Sequence, residues 1–230
     1  KWVVREVVEV NEDKRQITFR AAGREPGQDP YYLHTYRVNF DGTGLLRLTE
    51  GDGTHSTQVS PDKTVFIDTW SRVDLTPRHA LRRVSDGKLL CELETADAKD
   101  LYATGWRHAE RFVAKDRDGK FDIHGIICRP SNFDPKKKYP VVEVIYAGPH
   151  GSFVPKGWRS RYGHWRDELM ELGFITVQID GKGTNHRGRE FQHFAYKNIN
   201  DAGFPDRIKW MQAAAKKYPY MDISRVGIYG

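Results

Sequence analysis

A mixed fold is predicted, in which short β-strands joined by hairpin turns give way to an α/β layer. Three observations predict it. From Lys1 to about Ala103, six short segments alternate apolar and polar residues with the period of half-buried strands: REVVEVN, RQITFRA, YLHTYRV, TVFIDTW, HALRRV and KLLCELE. Two features within them recur: Arg37-Val38 and Arg83-Val84 stand 46 residues apart (83 − 37), and Val10-Asn11-Glu12-Asp13-Lys14 is echoed 49 residues later (59 − 10) by Val59-Ser60-Pro61-Asp62-Lys63. From about Gly105 the order becomes strand, helix, strand, helix, strand, which defines an α/β layer.

In the first half, Asp41-Gly42 and Asp86-Gly87 follow the two Arg-Val pairs and supply residues tolerant of positive φ, as a tight hairpin requires. A repeat of about 40–50 residues carrying four short strands is the sequence form of a β-propeller blade. Two copies cannot close a propeller, which takes about four to eight, so this half is expected to be the end of a longer array, with a small β-sandwich as the competing arrangement. In the second half, RFVAK and FDIHGIICRP flank Asp118-Gly119 as a hairpin, and PVVEVIYAG is a nearly continuous apolar run of the kind buried on both faces of a sheet. Trp158, Tyr162, Trp165, Leu169 and Leu172 then form one helical stripe ending at Gly173. The strand FITVQID follows. A second helix is predicted from about Pro205, with Ile208, Met211, Ala215 and Tyr218 as its apolar stripe, and the strand RVGIYG comes last.

Composition narrows the functions. The 230 residues carry 37 Lys plus Arg against 31 Asp plus Glu, a net +6, and the densest basic cluster, Lys136-Lys137-Lys138, stands alone in a loop. Nucleic-acid binders concentrate charge in a stripe, so no nucleic-acid partner is expected. No apolar run approaches the roughly 18 residues of a membrane span, and KWVVREVVEV reads as a strand and lacks the apolar stretch of a secretory signal. Cys91 and Cys128 sit singly in apolar strand patterns and are expected to be buried free thiols. His186, Glu190 and His193 could share a helical face, but the order is not H-E-x-x-H; solvated histidines, His150 among them, are expected, and no metal. Gly181-Lys182-Gly183-Thr184 lacks the order of a phosphate-binding P-loop, and no cofactor is expected.

Ligands and catalytic groups of open α/β sheets gather at the carboxyl ends of the strands. Three such ends are present: Tyr146-Ala147-Gly148-Pro149-His150, Asp180-Gly181-Lys182-Gly183-Thr184, and Ile228-Tyr229-Gly230. A glycine directly after a strand, as at Gly230, is how a G-x-S-x-G nucleophile elbow begins.

The stretches YLHTYRVNFDGTGLLRLT, HSTQVSPDKTVFIDTWS, RPSNFDPKKKYPVVEVIYAGPH, DGKGTNHRGREF and DAGFPDRIKWMQAAAKKYPYMDISRVGIYG resemble successive landmarks of the dipeptidyl peptidase IV branch of the prolyl oligopeptidase serine peptidases. The resemblance covers nearly the whole chain. It implies the last two blades of a β-propeller over residues 1–104, followed over 105–230 by the N-terminal half of an α/β-hydrolase domain. The activity it implies is acyl transfer that removes an N-terminal dipeptide with Pro or Ala second, so the partner would be a peptide; a homodimer of the parent protein and a periplasmic or secreted location are further implications. Tyr146 matches the Tyr of the family's Y-A-G-P turn, whose hydroxyl donates to the oxyanion of the tetrahedral intermediate. Gly230 falls at the start of the elbow, with the nucleophilic Ser expected two residues beyond it and the Asp and His later still, so the 230 residues alone are expected to be inert. The family's acidic pair for the substrate amino terminus would precede Lys1, and most of its side-chain pocket would follow Gly230. Lys182 departs from the family, where Arg commonly stands, and Arg187 and Arg189 would brace the loop. Two other functions remain open at this point: an esterase or acylaminoacyl-type peptidase on the same scaffold, and a non-catalytic interaction module.

Overall fold

The computed structural model describes residues 2–159 and 165–230, the side chains of 165–167 excepted. Its chain forms two compact units: Lys1–Asp97 with Lys156–Trp158 and His186–Gly188, and Ala98–Pro155 with Arg159–Asn185 and Arg189–Gly230.

The first unit holds two four-stranded antiparallel sheets, each running in chain order. One contains β1 (Val3–Asn11), β2 (Gln16–Ala22), β3 (Leu33–Asn39) and the short β4 (Leu46–Arg47); the other contains β5 (Thr54–Val59), β6 (Val65–Arg72), β7 (Leu75–Arg83) and β8 (Leu89–Thr95). The two sequence echoes occupy matching turns. Val10–Lys14 and Val59–Lys63 lie at the first turn of each sheet, where Arg15 and Lys63 adopt φ of 51° and 56°. The Asp-Gly pairs make the third turn: Gly42 and Gly87 adopt φ of +83° and +73°, and the aspartate carboxylates accept from Thr43 N–H at 2.9 Å and Lys88 N–H at 3.1 Å. Strands β4 and β5 were not legible, because one is two residues long and the other, THSTQV, has no apolar alternation. Phe19, Ala21 and Tyr36 form an apolar cluster on the first sheet.

The second unit begins with the short α1 (Lys99–Ala103) and is built on a five-stranded mixed sheet. Its strands are β9 (Glu110–Lys115), β10 (Asp122–Cys128), β11 (Tyr139–Val144), β12 (Ile175–Ile179) and β13 (Met221–Tyr229), in the order β13-β11-β12-β10-β9. Strands β13, β11 and β12 are parallel and β10 and β9 antiparallel to their neighbours. Helices α2 (Trp165–Glu171), the one-turn α3 (Arg189–Gln192) and α4 (Phe204–Lys217) complete it, with 3-10 turns at His193–Ala195 and Ile199–Asp201. As its nearly continuous apolar pattern predicts, β11 is buried on both faces. The core joins Ile123, Ile127, Val141, Ile175, Val177 and Ile179 of the sheet to Phe191, Trp210, Met211 and Ala214 of the helices. None of the described helices is long and apolar enough to cross a membrane.

Three expectations are corrected. Trp158 is not helical; it belongs to the first unit, where its N–H donates to Ser71 Oγ at 3.0 Å, and Leu172 at the other end of that stripe is 75% exposed. Tyr162 and the side chain of Trp165 lie outside the described residues. In α4 the buried face is Arg207, Trp210, Met211 and Ala214, whereas Ile208 is 50% exposed. A buried charge at 207 rotated the stripe by one position relative to the apolar pattern. Finally, Cys128 is buried but Cys91 is exposed, because β8 is the edge strand of its sheet and all of its residues are exposed.

Candidate active site

Because β11 and β13 run parallel and adjacent, their carboxyl ends emerge side by side. The ladder continues past β11, where Ile145 N–H donates to Tyr229 O at 2.8 Å. Tyr146 follows on one side and Gly230 on the other. A Cβ at Gly230 would overlap the Ile145 carbonyl oxygen, so the close approach of the two strand ends admits only glycine there. Tyr146 is 58% exposed, and its ring meets Phe153 and His150 at centroid distances of 4.6 and 5.6 Å, each edge to face.

An exposed side chain can still be carried on a fixed backbone. Asp180, fully buried just after β12, accepts from Phe153 N–H at 2.8 Å and Val154 N–H at 3.2 Å. Gln178 Nε2 donates to Phe153 O at 2.9 Å, Gln192 Nε2 to Pro149 O at 2.8 Å, and Asn185 N–H to Gly151 O at 2.8 Å. The loop from Tyr146 to Val154 is thus bonded to the β12 end, to the segment after it and to α3.

The same end of the sheet concentrates buried charge. Glu143 of β11 faces Arg207 of α4, with Nη1 and Oε1 2.5 Å apart and both side chains essentially inaccessible. Burial pushes the Glu143 carboxyl above its ordinary range and Arg207 opposes that rise. Alongside, Asp206 accepts from Arg117 Nε at 2.9 Å and from the Lys182 N–H at 3.2 Å, while Arg117 also forks onto Asp201 with both distances 2.7 Å. Hydrogen bonds donated to Asp201 and then Asp206 hold the Arg117 guanidinium well above its usual range.

Lys182 is nearly buried, with Nζ 3.1 Å from Asp116, paired with Asp118 and 4.6 Å above the Phe194 ring. Burial alone would lower its pKa, but bonds to Asp118 and Asp116 outweigh it and raise the value. A lysine at this position therefore acts as a point charge between two carboxylates. The Gly181–Thr184 loop is closed by Thr184 Oγ1 donating to Gly181 O at 2.9 Å. The Arg187 guanidinium lies 5.3 Å above Tyr31 within the first unit. His150 and His193 are exposed, as is Glu190, which pairs with Lys120. His186 departs from the expectation of a solvated ring: it is partly buried in the first unit, and burial, then Arg5, lower its pKa to about 4.

Tyr146 and Gly230, singled out from the sequence, thus stand at neighbouring strand ends. Glu143, Asp206 and Arg207 were not singled out from the sequence, and Asp180 was marked only as the first residue of a strand-end loop. A signal for the first was present, since a carboxylate inside PVVEVIYAG must find a buried partner.

Residues 161–230 match the model of the prolyl oligopeptidase family, and residues 1–77 match that of the dipeptidyl peptidase IV N-terminal region. Dipeptidyl peptidase 8 of Homo sapiens is 28% identical over 234 aligned residues, covering 97% of this chain and 25% of that protein. The crystal structure of Porphyromonas gingivalis dipeptidyl peptidase 4 aligns with a TM-score of 0.76 at 25% identity, covering 100% of this chain and 31% of that one. A Bacteroides ovatus structure aligns with a TM-score of 0.79 at 26% identity, over 99% and 31%. The chain spans about a quarter of the length of these curated relatives. These matches support a dipeptidyl peptidase IV-like member of the prolyl oligopeptidase family. One family model matches each end of the chain, and neither extends over half of it.

Proposed function

We propose that the chain is a segment of a serine exopeptidase that removes N-terminal dipeptides with Pro or Ala second, and that Tyr146 donates its hydroxyl to the oxyanion of the tetrahedral intermediate. On this reading residues 1–104 are the last two blades of a β-propeller and 105–230 the first half of an α/β-hydrolase domain; the four-stranded meanders and the parallel β13-β11-β12 core support it. The observation that carries the reading is an exposed phenol at the carboxyl end of a buried strand, beside a glycine at the end of the parallel neighbour. The reading assigns no nucleophile, base or orienting acid to these residues. Their part is electrostatic: a donor fixed in advance, aimed at charge that exists only while the carbonyl is tetrahedral, stabilises the transition state selectively. The names of the relatives, dipeptidyl peptidase 8 and dipeptidyl peptidase 4, favour a dipeptide-releasing peptidase over an esterase.

The test is Tyr146→Phe in the full-length protein, assayed on Ala-Pro and Gly-Pro arylamides. Phe keeps the ring contacts with Phe153 and His150. Loss of one oxyanion donor costs about 2.7–4 kcal/mol of barrier, so kcat and kcat/KM should fall together by roughly 100-fold or more with KM and Tm close to wild type. A loss below about threefold, against the roughly 100-fold expected of a donor, would make Tyr146 a packing residue.

A further inference from the structure

Glu143 is three residues before Tyr146 on a strand whose other members are apolar or uncharged, and it is buried with Arg207 among them. Removing two charges from water costs several kcal/mol per ion, and replacing such a pair by apolar residues of similar size is often neutral or stabilising. Folding stability is thus a poor explanation for its presence. Arg207 also stands in the first turn of α4, where the helix dipole disfavours a cation. The contacts of its guanidinium say more. Nη1 pairs with Glu143, Nε donates to Ala202 O at 3.1 Å just ahead of α4, and Nη2 reaches Tyr146 O at 3.4 Å. One planar group therefore joins the strand, the chain leading into the helix and the backbone of Tyr146.

That last contact falls where the sheet stops helping. The final backbone bond between β11 and β13 is made by Ile145 N–H, and the Tyr146 carbonyl beyond it is held by Arg207 instead. A small rotation of the backbone at 146 is amplified at the phenol oxygen, the far end of the side chain. We propose that Arg207, oriented by Glu143, is a positioning residue for Tyr146, fixing the backbone from which the hydroxyl is aimed. The inference rests on the reading of Tyr146 as an oxyanion donor, and a misplacement of about 1 Å in such a donor can cost on the order of 100-fold in rate.

The test compares two variants in the full-length protein, Arg207→Lys and the double substitution Glu143→Leu/Arg207→Met, each made with Tyr146 intact and with Tyr146→Phe. Readouts are kcat, KM and Tm. The apolar double variant should melt at or above wild type, because the desolvation cost is gone. Its kcat should nevertheless fall roughly ten- to 100-fold, with KM changed by less than about threefold. Arg207→Lys keeps a cation opposite Glu143 but cannot span three acceptors, and should lose kcat to a similar extent. Neither substitution should add to the loss once Tyr146 is Phe. Wild-type kcat in a folded variant, or a loss that multiplies with that of Tyr146→Phe, overturns the positioning role and leaves the Tyr146 reading standing. Wild-type kcat in Tyr146→Phe itself overturns that reading first, and the positioning role with it. If one variant fails to fold, the other carries the comparison; if neither folds, the pair is a folding determinant and the proposal is overturned.

Discussion

In the first unit the buried polar side chains hold each other within the sheets: His34 sits between Thr49 and Gln28, and His55 Nδ1 lies 2.7 Å from Asp68, which also accepts from Arg82. The two imidazoles are 4.4 Å apart, and His55 in turn stacks on Trp70. In the second unit the middle of the sheet is apolar, and Glu143, Asp180, Lys182, Asp206 and Arg207 gather near the carboxyl ends of the strands. The strands of the first unit gather a small apolar cluster, Phe19, Ala21 and Tyr36, and polar networks share in defining its packing. A deep apolar core frees the second to hold charge at one end, beside the exposed phenol. In the first arrangement the buried polar groups pair with one another across strands and loops, and in the second they collect at one end of an apolar core.

That contrast can be broken most severely at Trp210, which is fully buried, stands edge to face with Phe112 at 5.1 Å and donates Nε1–H to Phe112 O at 3.2 Å. Trp210→Ala should destabilise by about 3–5 kcal/mol, with amide exchange accelerated across β10–β13. A cost under about 1 kcal/mol would mean that the apolar core does not carry the second unit. Asp68→Asn removes the charge facing Arg82 and His55 and should cost about 1.5–3 kcal/mol, read as faster exchange in β5–β8 and little change in β10–β13.

The smallest effect sharpens the comparison through pH. Burial, reinforced by His55 and Arg47, lowers the His34 pKa to about 3. The folded chain therefore keeps His34 neutral while the unfolded chain binds a proton below its ordinary value near 6.5. Stability is fully present above about pH 6.5 and is lost as pH falls toward 3, at up to roughly 1.4 kcal/mol per unit. His186, lowered to about 4, acts in the same direction. His34→Gln should reduce the loss between pH 6.5 and 5 by about 2 kcal/mol in urea titrations; an unchanged pH slope would remove His34 from the account.

Much of this architecture was legible in the sequence, for reasons the structure makes specific. Alternation marked the strands that have one apolar face, and turn chemistry marked the hairpins, but β5 was hidden because pairing, not pattern, makes it a strand. The stripe of α4 was misplaced because Arg207 occupies a position that hydropathy assigns to solvent. Strand order marked the carboxyl end that carries Tyr146, and resemblance to the Y-A-G-P turn singled out that residue within it. Its anchor could not be found, since Glu143 and Arg207 are 64 residues apart and only the folded sheet brings them together.

Each unit carries one thiol, and the two differ in access: Cys91 is open on β8 and Cys128 is enclosed on β10. A small alkylating reagent will consume the first at the rate of the bimolecular chemistry, whereas the second reacts only when β10 is transiently released. The ratio of the two rates measures the free energy of local opening around the apolar core, with the native chain serving as both probe and internal reference.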